Sequence, residues 1–196
     1  MDDIVKAAIF KWPNVPHCYG WLGLDARGNW YLRDDNAQAA GAFCAPSIEP
    51  GRQMASKGSL LQHEKLIDFI TRNYDCDDSA ACPAKGQWFF QNGPQRVYVE
   101  LEATPYIWRV GSSPEFEVTA HTGQVAIVQR CFMDEHGRVY LETALGFGLV
   151  HTQDMVRVAD AVEMGLWVLQ DVVARDLPAR FGYVRSPEGA FRVLGL

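Results

Sequence analysis

Two nine-residue stretches, Leu24–Leu32 (LDARGNWYL) and Met133–Leu141 (MDEHGRVYL), share one pattern and decide the fold. In both, an apolar residue precedes Asp, Gly follows three residues after the Asp, and Tyr-Leu begins three residues after the Gly. Asp at the first position and Gly at the fourth favour a type I turn. Because apolar runs flank both turns, each stretch predicts the tip of an antiparallel β-hairpin. Ser186-Pro-Glu-Gly189 has the same spacing and predicts a third, terminal hairpin.

The repeated aspartates, Asp25 and Asp134, raise the alternative of a repeated cation site. A calcium loop of the EF-hand type needs oxygen ligands at alternating positions and a Glu at the twelfth. Here Ala-Arg follows Asp25 and Glu-His follows Asp134, and an apolar strand comes next in both cases. Cys76 and Cys82 form one cysteine pair, but no second close pair completes a zinc site. We therefore interpret both aspartates as turn residues and expect no metal.

Secondary structure between the turns follows from hydrophobic periodicity. Strands such as Val97–Leu101 alternate apolar and polar residues, which is typical of an antiparallel sheet with one solvent-exposed face. Two other segments change to helical period. The first predicts a helix from Leu60 to Asn73, begun by Ser59 in a capping box. The second predicts a long helix from Thr152 to about Asp176, ended ahead of Pro178.

These elements predict an α+β protein with two lobes of mainly antiparallel sheet, each with a helix packed on it. The N-terminal lobe, residues 1–112, holds a hairpin, a helix and aromatic strands. The C-terminal lobe, residues 113–196, holds a hairpin, the long helix and the terminal hairpin. Hairpin followed by helix occurs twice, which is consistent with a structural duplication. Asn36–Lys57 and Cys76–Gly86 show no period and are predicted to be loops, which at this length are often functional.

Charge and composition argue against nucleic-acid and membrane partners. The 196 residues include 18 Lys and Arg against 24 Asp and Glu, giving a net charge of −6 without any basic cluster. Nucleic-acid binding depends on clustered cations. The opening MDDIVKAAIF is acidic, and the apolar run Met164–Val173 is far too short to cross a bilayer. Since the five cysteines are irregularly spaced, we expect a cytoplasmic protein with reduced thiols.

Assembled catalytic and cofactor motifs are missing from the sequence. It contains no Gly-x-Ser-x-Gly elbow for a nucleophilic serine. Gly146-Phe-Gly148 lacks the third glycine of a dinucleotide-binding turn. We therefore expect no cofactor.

The strongest polar constellation lies on the aromatic strands between Gln87 and Val110. Glu100 and Glu102 share a strand face with Tyr98, about 7 Å apart by strand geometry. Two such carboxylates can divide the roles of acid and base, or they can simply carry charge on the exposed face of a sheet. The residues predicted to bind a ligand are Arg96, Tyr98, Glu100, Glu102 and Trp108.

Three functional hypotheses follow from these residues. The first is a non-enzymatic module that binds a small molecule or a protein in the groove between the lobes, because six Trp allow an aromatic-lined recognition surface. The alternative is an enzyme that uses Glu100 and Glu102 in that inter-lobe cleft, with His63 or Glu64 nearby. A homo-oligomer formed through a sheet edge is the third hypothesis.

Several segments also resemble known sequences. Gly28–Tyr31 (GNWY), the helical stretch Ser59–Asn73, Trp88–Phe90 (WFF), Val97–Leu101 (VYVEL) and Ala103–Pro105 (ATP) occur in this order. The arrangement resembles uncharacterised proteobacterial families of domains of unknown function, over roughly the first 110 residues. The resemblance implies a two-lobed α+β protein of the bacterial cytosol and brings no catalytic residues. The stretch 36–57 looks like an insertion in that pattern.

Overall fold

The computed structural model describes residues 1–44, 56–78 and 84–194. The helices are α1 Asp3–Lys11, α2 Asp35–Ala40, α3 Glu64–Arg72, α4 Met155–Glu163, α5 Leu177–Phe181 and α6 Pro187–Leu194. The strands are β1 Cys18–Leu24, β2 Trp30–Leu32, β3 Ser59–Leu60, β4 Tyr74–Cys76, β5 Trp88–Asn92, β6 Gln95–Leu101, β7 Tyr106–Val110, β8 Val118–Ala120, β9 Val125–Ala126, β10 Val128–Asp134, β11 Val139–Thr143, β12 Gly146–Val150 and β13 Leu169–Val172. The protein is therefore of the α+β class, as the sequence predicts.

The chain divides into two compact units. The first comprises Met1–Asp25, Asn29–Glu102 and Tyr183–Leu196, and the second comprises Ala26–Gly28 and Ala103–Gly182. This division differs from the predicted lobes 1–112 and 113–196. β7 belongs to the second unit because it pairs with β8 and β12. The end of the chain belongs to the first unit because α6 packs on β1 and β6.

The first unit is built on a six-stranded sheet with the order β3-β2-β1-β6-β5-β4. All neighbours are antiparallel except β1 and β6. Consecutive residues of a strand point to opposite faces. Phe90 contacts Phe69 of α3, while Phe89 contacts Tyr98 on the other face, where Phe191 of α6 also lies. Helices therefore cover both faces of this sheet.

The second unit is built on a seven-stranded sheet with the order β13-β10-β11-β12-β7-β8-β9. It is antiparallel apart from the β10–β13 and β12–β7 pairs. Phe181 of α5 stacks on Phe147 with ring centroids 3.6 Å apart, and Phe132 lies against both rings. α4 buries Val158 and Ala161. The aromatic side chains of β10 and β12 thus anchor the helix that ends this unit.

The two predicted hairpins are confirmed, and their registers are the same. Leu24 pairs with Trp30 in the β1–β2 hairpin, and Met133 pairs with Val139 in the β10–β11 hairpin. The turn glycine has a positive φ in both, 84° at Gly28 and 74° at the equivalent position of the second hairpin. Glycine adopts this conformation without the steric cost of a Cβ atom.

Each turn aspartate is held by its own hairpin. Asp25 accepts a hydrogen bond from the backbone N–H of Asn29 at 2.8 Å, and Asp134 accepts one from the N–H of Arg138 at 2.9 Å. The Tyr140 hydroxyl donates to the second carboxylate oxygen of Asp134 at 2.8 Å, and Tyr31 is hydrogen-bonded to the first aspartate. The aspartates are therefore structural acceptors within the turn.

The predicted long helix from Thr152 to Asp176 was wrong in its second half. α4 ends at Glu163, and Gly165 follows in the left-handed conformation with φ +73°. The N–H groups of Gly165 and Leu166 donate to the carbonyls of Val162 and Ala161, which is the Schellman pattern of a helix end. The chain then enters β13, which is paired with β10. The glycine within the apolar stripe was a stop signal.

The predicted terminal hairpin at Ser186–Gly189 was also wrong, because this segment begins α6. The Ser186 hydroxyl accepts a hydrogen bond from the N–H of Gly189 at 3.1 Å, and Pro187 occupies the first helical position. A type I turn and the first turn of a helix have similar dihedral angles, so the same residues suit both. Packing of α6 on β1 and β6, where Phe191 stacks on Tyr19, favours the helix.

The first predicted helix was correct in its core and wrong at its start. Ser59 and Leu60 pair with β2, and α3 begins at Glu64 after His63, whose Nδ1 accepts from the N–H of Leu66 at 3.3 Å. The long-range pairing with β2 overrides the local capping signal. The predicted loop Asn36–Lys57 was wrong at its start, where Asp34 caps the short helix α2, and the loop Cys76–Gly86 begins in β4. The remainder of each includes residues 45–55 and 79–83 with Cys82, which lie outside the described residues.

Among the described helices, none combines the length and the apolar character that a membrane span requires.

Candidate functional site

A cavity of about 490 Å³ lies in the first unit, between α3 and one face of the six-stranded sheet. Leu22, Leu32 and Val97 line it from the strands, and Leu66 and Ile70 line it from α3. Volumes of this size are common for pockets that hold small molecules, and such pockets are mostly apolar. The cavity is thus the candidate functional site.

Strand register explains why the lining is apolar. Leu22 pairs with Leu32 and also with Val99 of the parallel neighbour, so one face of three adjacent strands carries aliphatic side chains. Leu66 and Ile70 are four residues apart on α3 and therefore point to the same side of the helix. The helix lies over β5, where Phe69 contacts Phe90. Of the strand residues on this face, Leu22 and Val99 are buried, whereas Leu32 is 43% exposed.

Two large apolar side chains lie at the rim of the cavity. Trp21 and Leu32 line it and are 45% and 43% exposed. A large apolar side chain half in water loses part of the free energy that burial would provide. A ligand that covers both residues would recover it, which makes the rim an attractive surface for an apolar molecule.

Few polar groups reach the cavity. Asn92 and Gln95 lie at the end of β5 and the start of β6, and Asp34 lies before α2. The Gln95 amide donates to the carbonyl of Pro16 at 2.8 Å, and Asp34 accepts from the N–H of Ala37 at 2.8 Å as the N-cap of α2. These side chains provide two amides and one carboxylate around an otherwise apolar space.

Arg33 contributes the one cation among the described lining residues, and its guanidinium is fully engaged. Its side chain is inaccessible to solvent. Nε donates to the carbonyl of Ser56 at 3.0 Å and Nη1 to that of Gly20 at 3.0 Å, with Glu188 3.4 Å away. Nη2 donates to the carbonyls of Ala37, at 3.4 Å, and Gly41. Five N–H groups therefore meet five acceptors.

Cys18 places a thiol in the cavity, but burial raises the pKa of that thiol. Only the thiolate is a strong nucleophile, so a raised pKa disfavours covalent chemistry at neutral pH. Within the described part of the chain, no group of three His, Cys, Asp or Glu side chains could hold a metal ion.

A second cavity of about 450 Å³, also in the first unit, is mainly polar and lies between α2 and α6. Glu188 and Arg192 line it and are paired with each other at 2.5 Å, and Glu188 also meets the buried guanidinium of Arg33. Its charged groups are therefore already paired within the protein. A ligand would have to replace those contacts, so the apolar cavity is the better candidate.

Arg96 and Tyr98, two of the predicted ligand-binding residues, lie together on β6 on the face covered by α6. Arg96 forms an ion pair with Asp77 at 2.5 Å, and its guanidinium lies 4.4 Å from the ring centroid of Phe89. Tyr98 is buried and stacks on Tyr19 with centroids 4.6 Å apart. Burial raises the pKa of Tyr98, and its hydrogen bond with Arg96 opposes this. Neither residue lines the apolar cavity.

Glu100 follows on the same face and is only 2% exposed, so this face is not the solvent-exposed face that the alternation predicts. The Ser186 hydroxyl and the Glu188 N–H donate to its two oxygens at 2.6 Å and 2.9 Å. Burial raises the pKa of Glu100, although these two hydrogen bonds act in the opposite direction. The carboxylate thus ties the start of α6 to the sheet.

The remaining predicted residues have separate partners. Glu102 forms an ion pair with Lys57 at 2.8 Å. Trp108 belongs to the second unit, where it is completely buried and donates its indole N–H to the carbonyl of Leu141 at 3.1 Å. His63 and Glu64, proposed as helpers of the two glutamates, lie at the exposed start of α3. The structure therefore groups Arg96, Tyr98 and Glu100 on one strand face and sets the others apart.

Comparison with known proteins gives the family. The family model DUF2944, described as "Protein of unknown function (DUF2946)", matches residues 1–188. The chain belongs to this family. The predicted resemblance to a family of unknown function is thereby confirmed. No curated protein matches the chain.

Among solved structures, the DUF2944 chain is similar to the crystal structure of a DUF1285 family protein from Silicibacter pomeroyi DSS-3. The TM-score is 0.46 and the sequence identity is 12%. The match covers 82% of this chain and 84% of that one.

Sequence reasoning missed the cavity of this DUF2944 member because apolar strand and helix residues were all assigned to the core. Leu66 and Ile70 were recognised as one helix face, but the partner surface of that face was not known. Leu32 directly follows the repeated Tyr and gave no signal of its exposure, because exposure depends on how much of the sheet α3 covers. Only tertiary structure carries that information.

Proposed function

We propose that this DUF2944 chain is a non-enzymatic module that binds a small apolar molecule in the cavity under α3. The observation that carries the proposal is a space of about 490 Å³ lined by aliphatic and aromatic side chains and open at a rim that exposes Trp21 and Leu32. Burial of apolar surface is the main source of affinity for such a ligand. The site is assigned within the first unit, and this revises the expected position between the lobes.

The enzyme hypothesis based on Glu100 and Glu102 has less support. Glu100 is buried and accepts two hydrogen bonds from the start of α6, and Glu102 is paired with Lys57. A general acid or base has to reach the proton that it transfers. Both carboxylates have structural partners instead, which favours binding over catalysis.

The proposal extends to the cellular setting. We place the protein in the cytoplasm, because the described cysteines Cys18, Cys44, Cys76 and Cys131 are free thiols and such thiols persist in reducing compartments. Cell fractionation tests this placement. The expectations of no nucleic-acid partner and of a homo-oligomer through a sheet edge stay predictions, and electrophoretic mobility shift and sedimentation velocity test them.

Titration with the uncharged fluorophore Nile red tests the proposed function. We expect a saturable fluorescence increase with one site per chain. Leu66→Trp puts an indole into the cavity, so it should weaken binding by at least about tenfold, or 1.4 kcal/mol. Leu166→Trp is the matched control, because Leu166 is 54% exposed in the second unit. Circular dichroism and thermal unfolding verify that both variants fold.

Trp21 offers an internal probe at the same site. Because Trp21 lies at the rim, a ligand in the cavity should shift the protein emission to shorter wavelength, and Trp21→Phe should abolish that shift. The proposal is overturned if Nile red binds Leu66→Trp as tightly as the parent. It is equally overturned if the ligand-induced emission change persists without Trp21.

A further inference from the structure

The charge of the ligand can be deduced from the state of the polar groups around the cavity. Proteins that bind the carboxylate of an amphiphile usually provide a cation or free N–H donors for it. Arg33 is the one described lining residue with a positive charge. Whether its guanidinium has an N–H to spare therefore decides what headgroup the cavity can accept.

Arg33 has no donor left for a ligand. Its acceptors are the carbonyls of Gly20, Ala37, Gly41 and Ser56 and one carboxylate oxygen of Glu188. These five acceptors equal the number of guanidinium N–H groups. The carbonyl of Gly20 is buried, so turning the guanidinium towards a ligand would leave this backbone oxygen without its partner. Only the aliphatic part of the side chain is available to the cavity.

The other polar groups that line the cavity also disfavour an anionic ligand. Asp34 adds a negative charge beside Arg33, and Asn92 and Gln95 are neutral amides. A carboxylate moved into such surroundings loses its hydration without gaining a cation. An amide or hydroxyl, in contrast, can exchange hydrogen bonds with Asn92 or Gln95. Because Asp34 lies in an exposed position, solvent screens its attraction for a cationic headgroup.

We infer that the ligand is electrically neutral: an aliphatic or aromatic molecule whose polar part, if it has one, is uncharged. The inference rests on the proposed binding function and adds the chemical class of the ligand. An anionic amphiphile could still bind with its carboxylate in water. It would then leave part of its chain outside the cavity, at a cost of about 0.8 kcal/mol, or roughly fourfold in affinity, per methylene group.

Three ligands with the same ten-carbon chain separate the possibilities: decanol, decanoate and decylammonium. Each ligand is titrated into the Nile red complex of the parent protein at pH 7 and 0.15 M salt, below the concentration at which that ligand aggregates, and the loss of probe fluorescence is measured. We expect decanol to bind at least about tenfold more tightly than decanoate, the effect of two methylene groups left in water. We also expect decanol to bind more tightly than decylammonium.

The outcomes distinguish the two proposals. Decanoate or decylammonium binding as tightly as decanol would overturn the neutral assignment while leaving the cavity as a binding site. Failure of all three to displace the probe would overturn the proposed function and this inference with it. Either result is decisive, because the three chains present the same apolar surface.

A matched pair of variants tests the part played by Asp34. Asp34→Asn removes the charge and keeps a residue that can cap α2. Asp35→Asn makes the same change one residue later, at a position that does not line the cavity. The preference for decanol over decanoate should shrink about twofold to threefold in Asp34→Asn, as removal of one screened charge predicts, and stay constant in Asp35→Asn. An unchanged ratio in Asp34→Asn would contradict the role given to this carboxylate.

Discussion

Replacing Arg33 by Met should cost the protein a large part of its stability. The substitution keeps most of the apolar stem and removes the guanidinium, so the carbonyls of Gly20, Gly41 and Ser56 lose a charged donor within the protein. A hydrogen bond to a charged group contributes about 1.5–3 kcal/mol. Three such bonds do not add fully, because water enters and the backbone relaxes. Breaking a buried charged network typically costs about 3–5 kcal/mol, and we expect a loss in that range.

Urea unfolding followed by circular dichroism measures this loss. Arg33→Lys is the graded variant, because an ammonium can replace some but not all of the five donors, and its loss should lie between those of the parent and Arg33→Met. Arg175→Met is the matched control at a side chain that is 85% exposed, and it should stay within about 0.5 kcal/mol of the parent. A loss below about 1 kcal/mol for Arg33→Met would refute the assignment of the guanidinium to these carbonyls. The inference about a neutral ligand would then lose its basis too.

Three further changes test other parts of the structure by the same unfolding measurement. Tyr140→Phe removes the hydroxyl bonded to Asp134 and should cost about 1.5–3 kcal/mol at pH 7. Burial acts to raise the pKa of Asp134, but its hydrogen bonds outweigh burial and lower that pKa. The loss of stability in Tyr140→Phe should therefore fade as the pH drops through the lowered pKa of Asp134. A loss that stays constant with pH would argue against the hydrogen bond. Gly148→Ala places a Cβ atom 2.5 Å from the carbonyl oxygen of Tyr106, so it should cost about 3 kcal/mol, and a neutral effect would contradict this packing. Glu100→Gln removes a carboxyl whose pKa is raised by burial. As the pH rises from the ordinary value of 4.5 through the raised pKa, the stability of the parent should therefore fall relative to that of the variant. A stability difference that does not change with pH would exclude the shift.

Local signals were enough to predict the two hairpins. Asp25 and Asp134 accept hydrogen bonds within four residues of themselves, and the turn glycines follow three residues later. All the groups that determine these turns lie in one short stretch of chain. The alternation along β6 was equally local, although it could not tell which face would be covered.

The errors arose where distant residues compete with local preference. Ser59 suits a helix cap, but its pairing with Leu32 places it in β3. Ser186–Gly189 suits both a turn and a helix start, and the buried Glu100, 86 residues away from Ser186, receives a hydrogen bond from that start. Neither partner is visible in the local sequence. For the same reason, Glu100 was predicted as an exposed site residue when it is a buried helix anchor.

The two hairpins share their turn contacts and differ in their surroundings. Asp25 and Asp134 accept hydrogen bonds from their own turns, and Tyr31 and Tyr140 bond to them, so these four side chains are engaged within their hairpins. What distinguishes the first unit is the surface next to its hairpin, where Leu32 ends β2 half exposed at the rim of the apolar cavity. The equivalent residue of the second hairpin, Leu141, is completely buried. The same local sequence therefore contributes a core residue to one unit and a half-exposed residue at the rim of the apolar cavity to the other, because the surroundings of the two hairpins differ.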